Sequence, residues 1–273
     1  GRLPGPPGQK PVRERVLPDE RAPRQRDGPG ALPDGRLGRD RPDVFWGPAY
    51  LLPCWGIGQS RSVVMTHDIS FAAHPEWESI TSKFFLGFFA RRSALRADHI
   101  ITVSQFSKEE IKRLWLVRDD KITVSYPAPD PIFQPFNDEE KQAIRKKYNL
   151  KDRFVIFVGS FFTRRRIPEL MAGFELARKD LNTDWQLALI GQNHTRPFAD
   201  IKKSAREANV RMGEEMIKII DGLIPDDLPV LYSASGAAVY ISDYEGFGLP
   251  VLEAMSSGTP VITVPEKKVA YED

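Results

Sequence analysis

With 273 residues, 41% of them hydrophobic and 28% charged, the chain is long and apolar enough to bury a core in one or two domains. Its 39 basic and 37 acidic residues leave a net charge of +2, which gives no whole-molecule attraction to nucleic acid and leaves anion binding to local clusters. The one cysteine, Cys54, excludes an internal disulfide or a multi-cysteine metal site, no apolar run approaches the roughly 18 residues of a membrane span, and no secretory signal is visible, so a reducing, cytoplasmic setting is expected.

Residues 1–42 hold nine Pro, nine Arg and seven Gly, with no aromatic residue and no apolar period. Such a segment cannot bury enough surface to offset its conformational entropy, and it is expected to be disordered. A tail or sequence foreign to the fold is one reading; a basic arm for phosphate or membrane is the other. From Asp43 the texture changes. DVFWGPAY, SVVMTHDI, HIITVS and KITVSY have the β-branched content and the boundaries of strands. Between the second and third a helix is expected over 78–97. After the third, SKEEIKRLWL places Ser107 and Glu110 at capping-box spacing. Alternating strand and helix implies a parallel sheet covered by helices.

Within 78–97, Phe84, Phe85, Phe88 and Phe89 recur at helical spacing, followed by Arg91, Arg92 and Arg96. Packing against the sheet is one reading, an interfacial helix that meets an anionic membrane and a lipid-linked acceptor is the other, and both can hold on different faces. Pro127, Pro129, Pro131 and Pro135 then crowd into nine residues, a stiff linker that divides a first domain, 43–134, from a second, 135–273.

The second series opens with a charged helix over 138–148 and continues with FVIFVGS, an unbroken apolar run typical of a strand buried on both faces. Helices are expected over 168–178, 199–208 and 226–233 and after Pro250, alternating with strands at WQLALIG, MIKIIDG, AAVYIS and PVITV. The fold class is therefore α/β, with two doubly wound Rossmann-like units. In that architecture ligands bind at the carboxyl ends of the strands, here in a cleft between the units.

GIGQSR and GFGLPV both fail to complete G-x-G-x-x-G, and there is no G-x-x-x-x-G-K-[ST], which disfavours a nicotinamide dehydrogenase and a P-loop nucleotidase. Just past Gly159 lie Arg164, Arg165 and Arg166. At a strand's carboxyl end their planar forks suit phosphate oxygens; a solvated basic turn is the alternative. In YEGFGLPVLEAMSSG, Gly246, Gly248 and Pro250 prevent one continuous helix through Glu245 and Glu253. Glu245 is expected in a loop and Glu253 about one turn into a helix. The amides of Gly246 to Leu249 can donate to sugar or phosphate oxygens, and the two carboxylates can accept from paired hydroxyls. Favourable acids at a helix start are the bland alternative. His67, beside Asp68 at a strand end, is either a satisfied structural residue or a ligand contact.

SDYEGFGLPVLEAMSSGTPVITV is similar to the signature of glycosyltransferase family 4, the retaining enzymes with the two-domain GT-B fold. RPDVFWGP, VVMTHDISF, ADHIITVSQFSKEEI, KITVSYPAPD, FVGSFFTRRRIPEL and LPVLYSASGA resemble family blocks in family order, from Asp43 to about Val264. The resemblance implies that Glu245 lies against a transferred hexose and that Glu253 holds the ribose hydroxyls of a nucleotide. It implies that the loop Gly246, Phe247, Gly248 and Leu249 offers amides to the sugar, and that His67 faces it from the first domain. The family's Arg-Lys pair on the diphosphate corresponds to Arg164 and Arg165, so lysine has become arginine; Gly159 opens that loop. The implied reaction moves a hexose from a nucleotide-diphosphate sugar to a glycan or lipid-linked acceptor without cofactor or metal; no D-x-D is present. Residues 1–42 stand where the family's first strand and phosphate loop are expected, and the chain stops before the last helices. An incomplete first domain is therefore expected, and a nucleotide-sugar-binding fragment or partner subunit without transfer is the alternative function.

Overall fold

The computed structural model describes residues 42–54 and 59–264, apart from the side chains of residues 80–84. The segment expected to be disordered thus lies outside the described residues except for Pro42. Four parallel strands, β1 (Val44–Gly47), β2 (Arg61–Thr66), β3 (His99–Thr102) and β4 (Ile122–Val124), lie side by side in chain order. Among the described residues three helices accompany them, α1 (Ser70–Ala73), α2 (Ile80–Arg96) and α3 (Gln105–Trp115). The core beneath them joins Val64, Ile100, Ala90, Ala94, Ile111 and Trp115.

One expectation for this half is corrected and one open alternative is narrowed. The cap of α3 is Ser104, whose hydroxyl accepts from the Ser107 N–H at 3.0 Å; Ser107 is already inside the helix. Three residues is the right spacing, but it starts one step earlier because Ser104 is the last extended residue after β3. Phe85 and Phe88 do not pack on the sheet, and the Phe84 side chain lies outside those described. Ala90, Ser93, Ala94 and the half-buried Leu86 face it, small side chains that let α2 lie close, while Phe85 and Phe88 are 60% and 61% exposed on the outer face. Phe85 and Phe88 each contact Phe89, with ring centroids at 4.8 and 5.2 Å.

After β4 the proline-rich segment lies against the second half. Phe133 packs on the Tyr232 ring, and the Phe136 N–H donates to Ser233 Oγ at 2.8 Å. Helix α4 (Asp138–Lys147) follows, opened by an Asn137 and Glu140 capping box. The second sheet contains β5 (Phe154–Val158), β6 (Gln186–Ile190), β7 (Ile217–Ile220), β8 (Ala237–Tyr240) and β9 (Val261–Thr263), all parallel in the order β7-β6-β5-β8-β9. Helices α5 (Ile167–Leu181), α6 (Ile201–Met212), α7 (Leu228–Ala234) and α8 (Leu249–Ser256) complete it. Both faces are covered: Phe157, Leu187, Leu189 and Ile217 pack under α5 and α6, and Phe154, Ile156, Ala188 and Ala238 lie under α4 and α7. Burial on both faces explains why β5, β8 and, after Gln186, β6 are unbroken apolar runs.

The strand order places the switch point of the second sheet between β5 and β8, which are paired neighbours although far apart in sequence. Their carboxyl ends lead into the loop with Arg164 and Arg165 and the loop with Glu245. Two segments 80 residues apart are thereby forced into contact at the crevice where doubly wound sheets hold ligands.

Candidate functional site

Beyond β5 the chain turns through Gly159, at φ +138, into a 3-10 turn over Thr163–Arg165. The space a Cβ at Gly159 would fill is occupied by the Arg165 guanidinium, whose Nη1 would lie 2.5 Å from it. Arg165 therefore folds back over the strand end. Its Nε donates to Glu245 Oε1 at 2.8 Å, its Nη2 to Glu245 Oε2 at 3.4 Å, and its Nη1 to the Ser160 carbonyl at 3.1 Å. The Tyr240 ring lies 5.5 Å away. Arg164 stacks on the Phe162 ring at 4.4 Å and brings its Nε to 3.9 Å from Glu245 Oε1. That Nε is buried and has no hydrogen-bond partner.

Arg166 does not join this pair. It adopts a left-handed conformation at the start of α5 and donates through Nε to Asp243 Oδ1 at 2.7 Å. The three arginines that look equivalent in sequence split into two that face Glu245 and one that ties the two loops together on the outside.

Glu245 is buried, and Ser242 Oγ donates to its Oε1 at 3.0 Å. Burial pushes its carboxyl up, and the Arg165 guanidinium, helped by Arg164 and Ser242, more than offsets this and holds it below the usual carboxylate range. Glu253 is different. It sits in the second turn of α8, half-buried, with the Tyr232 hydroxyl donating to Oε2 at 3.4 Å. Burial raises its carboxyl, and the bond from Tyr232 only partly opposes that. Gly248, at φ +101, breaks the chain direction between the two acids and starts α8.

The first sheet meets this loop at its own carboxyl edge. A Cβ on Gly246 would lie 2.4 Å from the His67 carbonyl oxygen, so a side chain there would part the two halves. The Tyr244 ring packs on Phe106 and His74, at 5.0 and 5.6 Å, and Phe247 approaches Tyr126 at 6.2 Å. His67 itself is exposed at the end of β2, edge-on to Tyr50 at 5.9 Å. The structure thus brings Gly159, Arg164, Arg165, Glu245 and Gly246 into one cluster and sets the His67 backbone against it. Glu253, with Leu249 at the helix start, lies on the neighbouring helix. Ser242, Tyr232, Phe162 and Ser104 also belong to this assembly. Of these, Ser242, three residues before Glu245, and Ser104, the cap of α3, had a local signal; Tyr232 and Phe162 are recognisable only by tertiary contact. Among the described residues no three His, Cys, Asp or Glu side chains converge as metal ligands would.

Two family models match the chain: "Glycosyltransferase Family 4" over residues 3–131 and "Glycosyl transferases group 1" over residues 138–271. The first begins inside the Pro- and Gly-rich segment. The O-antigen chain mannosyltransferase B of Escherichia coli is 33% identical over 82% of this chain and 58% of its own length. The O-antigen chain mannosyltransferase RfbU of Salmonella typhimurium is 26% identical over 74% of this chain and 51% of its own length. The chain thus spans between half and three-fifths of each of these relatives. Among solved structures, sucrose-phosphate synthase from Thermosynechococcus elongatus superposes with a TM-score of 0.63 at 20% identity, over 85% of this chain and 62% of that one. Anabaena Alr3699/HepE, solved in complex with UDP-glucose, gives 0.61 at 22% identity, over 76% of this chain and 54% of that one. Taken with two parallel sheets that face each other across their carboxyl edges, these matches show that the chain belongs to glycosyltransferase family 4 and has its GT-B fold.

Proposed function

We propose that the chain carries the donor site of a retaining, metal-independent glycosyltransferase that moves a hexose from a nucleotide-diphosphate sugar to a hydroxyl of a glycan or lipid-linked acceptor. The names of the relatives favour mannose as the hexose. The observation that carries this reading is the pair of guanidiniums at a strand's carboxyl end, Arg164 and Arg165, with the Arg164 Nε left without a hydrogen bond. A donor left unmatched is costly, and the planar forks of two adjacent arginines suit the oxygens of a diphosphate. As the nucleoside diphosphate leaves, negative charge grows on its β-phosphate, and two fixed guanidiniums stabilise it without reorganisation. The departing phosphate oxygen, on the same face as the incoming acceptor, takes the acceptor's proton. Glu245, held ionised by Arg165, orients the hexose and stabilises positive charge near its ring. His67 contacts the sugar from the first domain, the amides of Gly246, Phe247, Gly248 and Leu249 donate to it, and Glu253 accepts from the ribose. Gly159 leaves room for the phosphate-facing arginine.

We also place the enzyme at the inner face of an anionic membrane. No described helix is long and apolar enough to cross one. The outer face of α2 instead combines Phe85, Phe88 and Leu95 with exposed Arg91 and Arg92, and α2 contains no acidic residue.

Calorimetry with UDP and GDP, followed by donor-hydrolysis and transfer assays, tests the main reading. Arg164→Ala or Glu253→Ala should weaken nucleotide binding, and Glu245→Ala should reduce transfer more than binding. Absence of binding to either nucleotide overturns the proposal; binding without turnover leaves a nucleotide-sugar-binding unit. Sedimentation with phosphatidylglycerol vesicles tests the membrane contact, which is refuted if Phe85→Ser with Phe88→Ser binds as wild type does.

A further inference from the structure

From the contacts across the two domains we infer that Ser104 and Ser107 are positioning residues that hold the donor loop in register from the opposite domain. The inference rests on the donor-site assignment above. Ser104 Oγ has one proton and two acceptor sites. It accepts from the Ser107 N–H at 3.0 Å, which caps α3, and donates to the Gly246 carbonyl at 2.5 Å across 142 residues of sequence. Ser107 Oγ lies 3.3 Å from the same carbonyl and 3.1 Å from the His67 carbonyl. Both serines are fully buried. One pair of hydroxyls therefore ties together the loop that carries His67 and the loop that carries Glu245.

The segment held this way faces both domains in turn. Tyr244 packs into the first domain on Phe106 and His74, Glu245 turns back to Arg165, and Gly246 presents its carbonyl to the first domain again. Only glycine permits the last step, because any Cβ there meets the His67 carbonyl oxygen at 2.4 Å. The peptide that follows is planar, so its C=O and N–H point in opposite directions. Fixing the Gly246 carbonyl on the serines thus fixes the Phe247 N–H on the opposite side, as one of the amides assigned to the hexose. Arg164 and Glu253, which are assigned to the nucleotide, make no contact with the serines. The clasp should accordingly govern recognition of the sugar and leave the affinity for the free nucleoside diphosphate unchanged.

Ser104→Asp separates the two roles of that residue. A carboxylate still caps α3 but has no proton for the Gly246 carbonyl, whereas Ser104→Thr keeps both functions. Ser107→Ala removes the second donor inside a helix without disturbing the cap. In a Cys54→Ser background, spin labels at Arg92 and Lys203 report the distance between the domains with no ligand present. Wild type and Ser104→Thr should give one narrow distribution, and Ser104→Asp with Ser107→Ala a broader one, together with a lower melting temperature because the new carboxylate is buried against the Gly246 carbonyl oxygen. By calorimetry that double variant should bind UDP or GDP within about twofold of wild type and lose roughly tenfold in affinity for the matching nucleotide-hexose, the size of one hydrogen bond to a buried carbonyl. An unchanged distance distribution, or an equal loss for nucleotide and nucleotide-hexose, overturns the clasp. Failure of the wild type to bind any nucleotide overturns the donor site instead, and the distance measurement still decides whether the serines hold the domains together.

Discussion

Replacing Arg165 by alanine should reverse the way stability responds to acid. In the native protein Arg165 and Glu245 side chains are 12% and 8% exposed and share two hydrogen bonds. Removing one partner of a buried pair costs about 3–5 kcal/mol, because the other charge is left in a poor solvent. Arg164 at 3.9 Å and Ser242 at 3.0 Å remain near Glu245, which puts the loss at the lower end, about 3 kcal/mol at pH 7. The native carboxyl titrates below its unfolded value, so its contribution is present above that value and is lost as pH falls through the folded one. In Arg165→Ala, burial is no longer offset and the folded value rises above the unfolded one. The contribution is then complete at low pH and is lost as pH rises. Urea unfolding of the second domain at pH 7 and pH 5 should show the variant gaining stability on acidification where the wild type does not. The pair Arg165→Met with Glu245→Leu should recover most of the loss. A single variant within about 0.5 kcal/mol of wild type, or with the same pH slope, refutes the reasoning.

Tyr232→Phe removes the hydrogen bond that lowers the Glu253 carboxyl against its burial. Nucleotide binding should then fail at higher pH than in wild type as the solution is acidified, a shift that a calorimetric pH series would detect. Asp98 accepts from the Ser62 N–H at 2.8 Å and from Arg61 at 2.9 Å, bonds that pull its carboxyl down to about 2. Asp98→Asn should cost about 1 kcal/mol at pH 7, a figure reduced for screening because the carboxylate is 40% exposed. The difference should vanish as pH falls from about 4 towards 2, because the depressed native carboxyl loses its advantage only there; acid titration of the melting temperature checks this.

The strands, the helices and their alternation were legible because β5, β6 and β8 are buried on both faces and, after Gln186 at the start of β6, leave no polar break in the sequence. The E-x7-E geometry was legible for a similar reason: Gly248 and Pro250 fix where α8 begins whatever surrounds them. Partners across the fold were not. Nothing near Arg165 in sequence says that its fork closes on Glu245, since that follows from the pairing of β5 with β8. The outward placement of Phe85 and Phe88 was illegible for a different reason. Helical spacing gives the stripe but not the side that faces the sheet, and here Ala90 and Ala94 take that side. Arg166 shows the limit of composition: three identical side chains in a row, with the third withdrawn by a left-handed backbone and Asp243.

Lysine at position 165 would keep the charge, yet the geometry gives arginine work that an ammonium cannot do. The guanidinium bridges both oxygens of Glu245 and the Ser160 carbonyl in one plane, and it does so because Gly159 has no Cβ. Those constraints depend on each other. Gly159→Ala forces a Cβ to within 2.5 Å of Arg165 Nη1 at φ +138, so either the fork leaves Glu245 or the strand end shifts. A flexible side chain yields before a backbone does. The expected result is therefore a variant that folds, with β5 intact, but whose Glu245 has lost its strongest partner and takes up a proton at higher pH than in wild type. Arg165→Lys should act in the same direction by a smaller amount, since one ammonium hydrogen bond replaces two. Carbon-13 NMR of the Glu245 carboxyl through an acid titration separates the three proteins. If Gly159→Ala titrates like wild type, the guanidinium does not depend on the bare glycine, and the order in which these residues constrain one another is wrong.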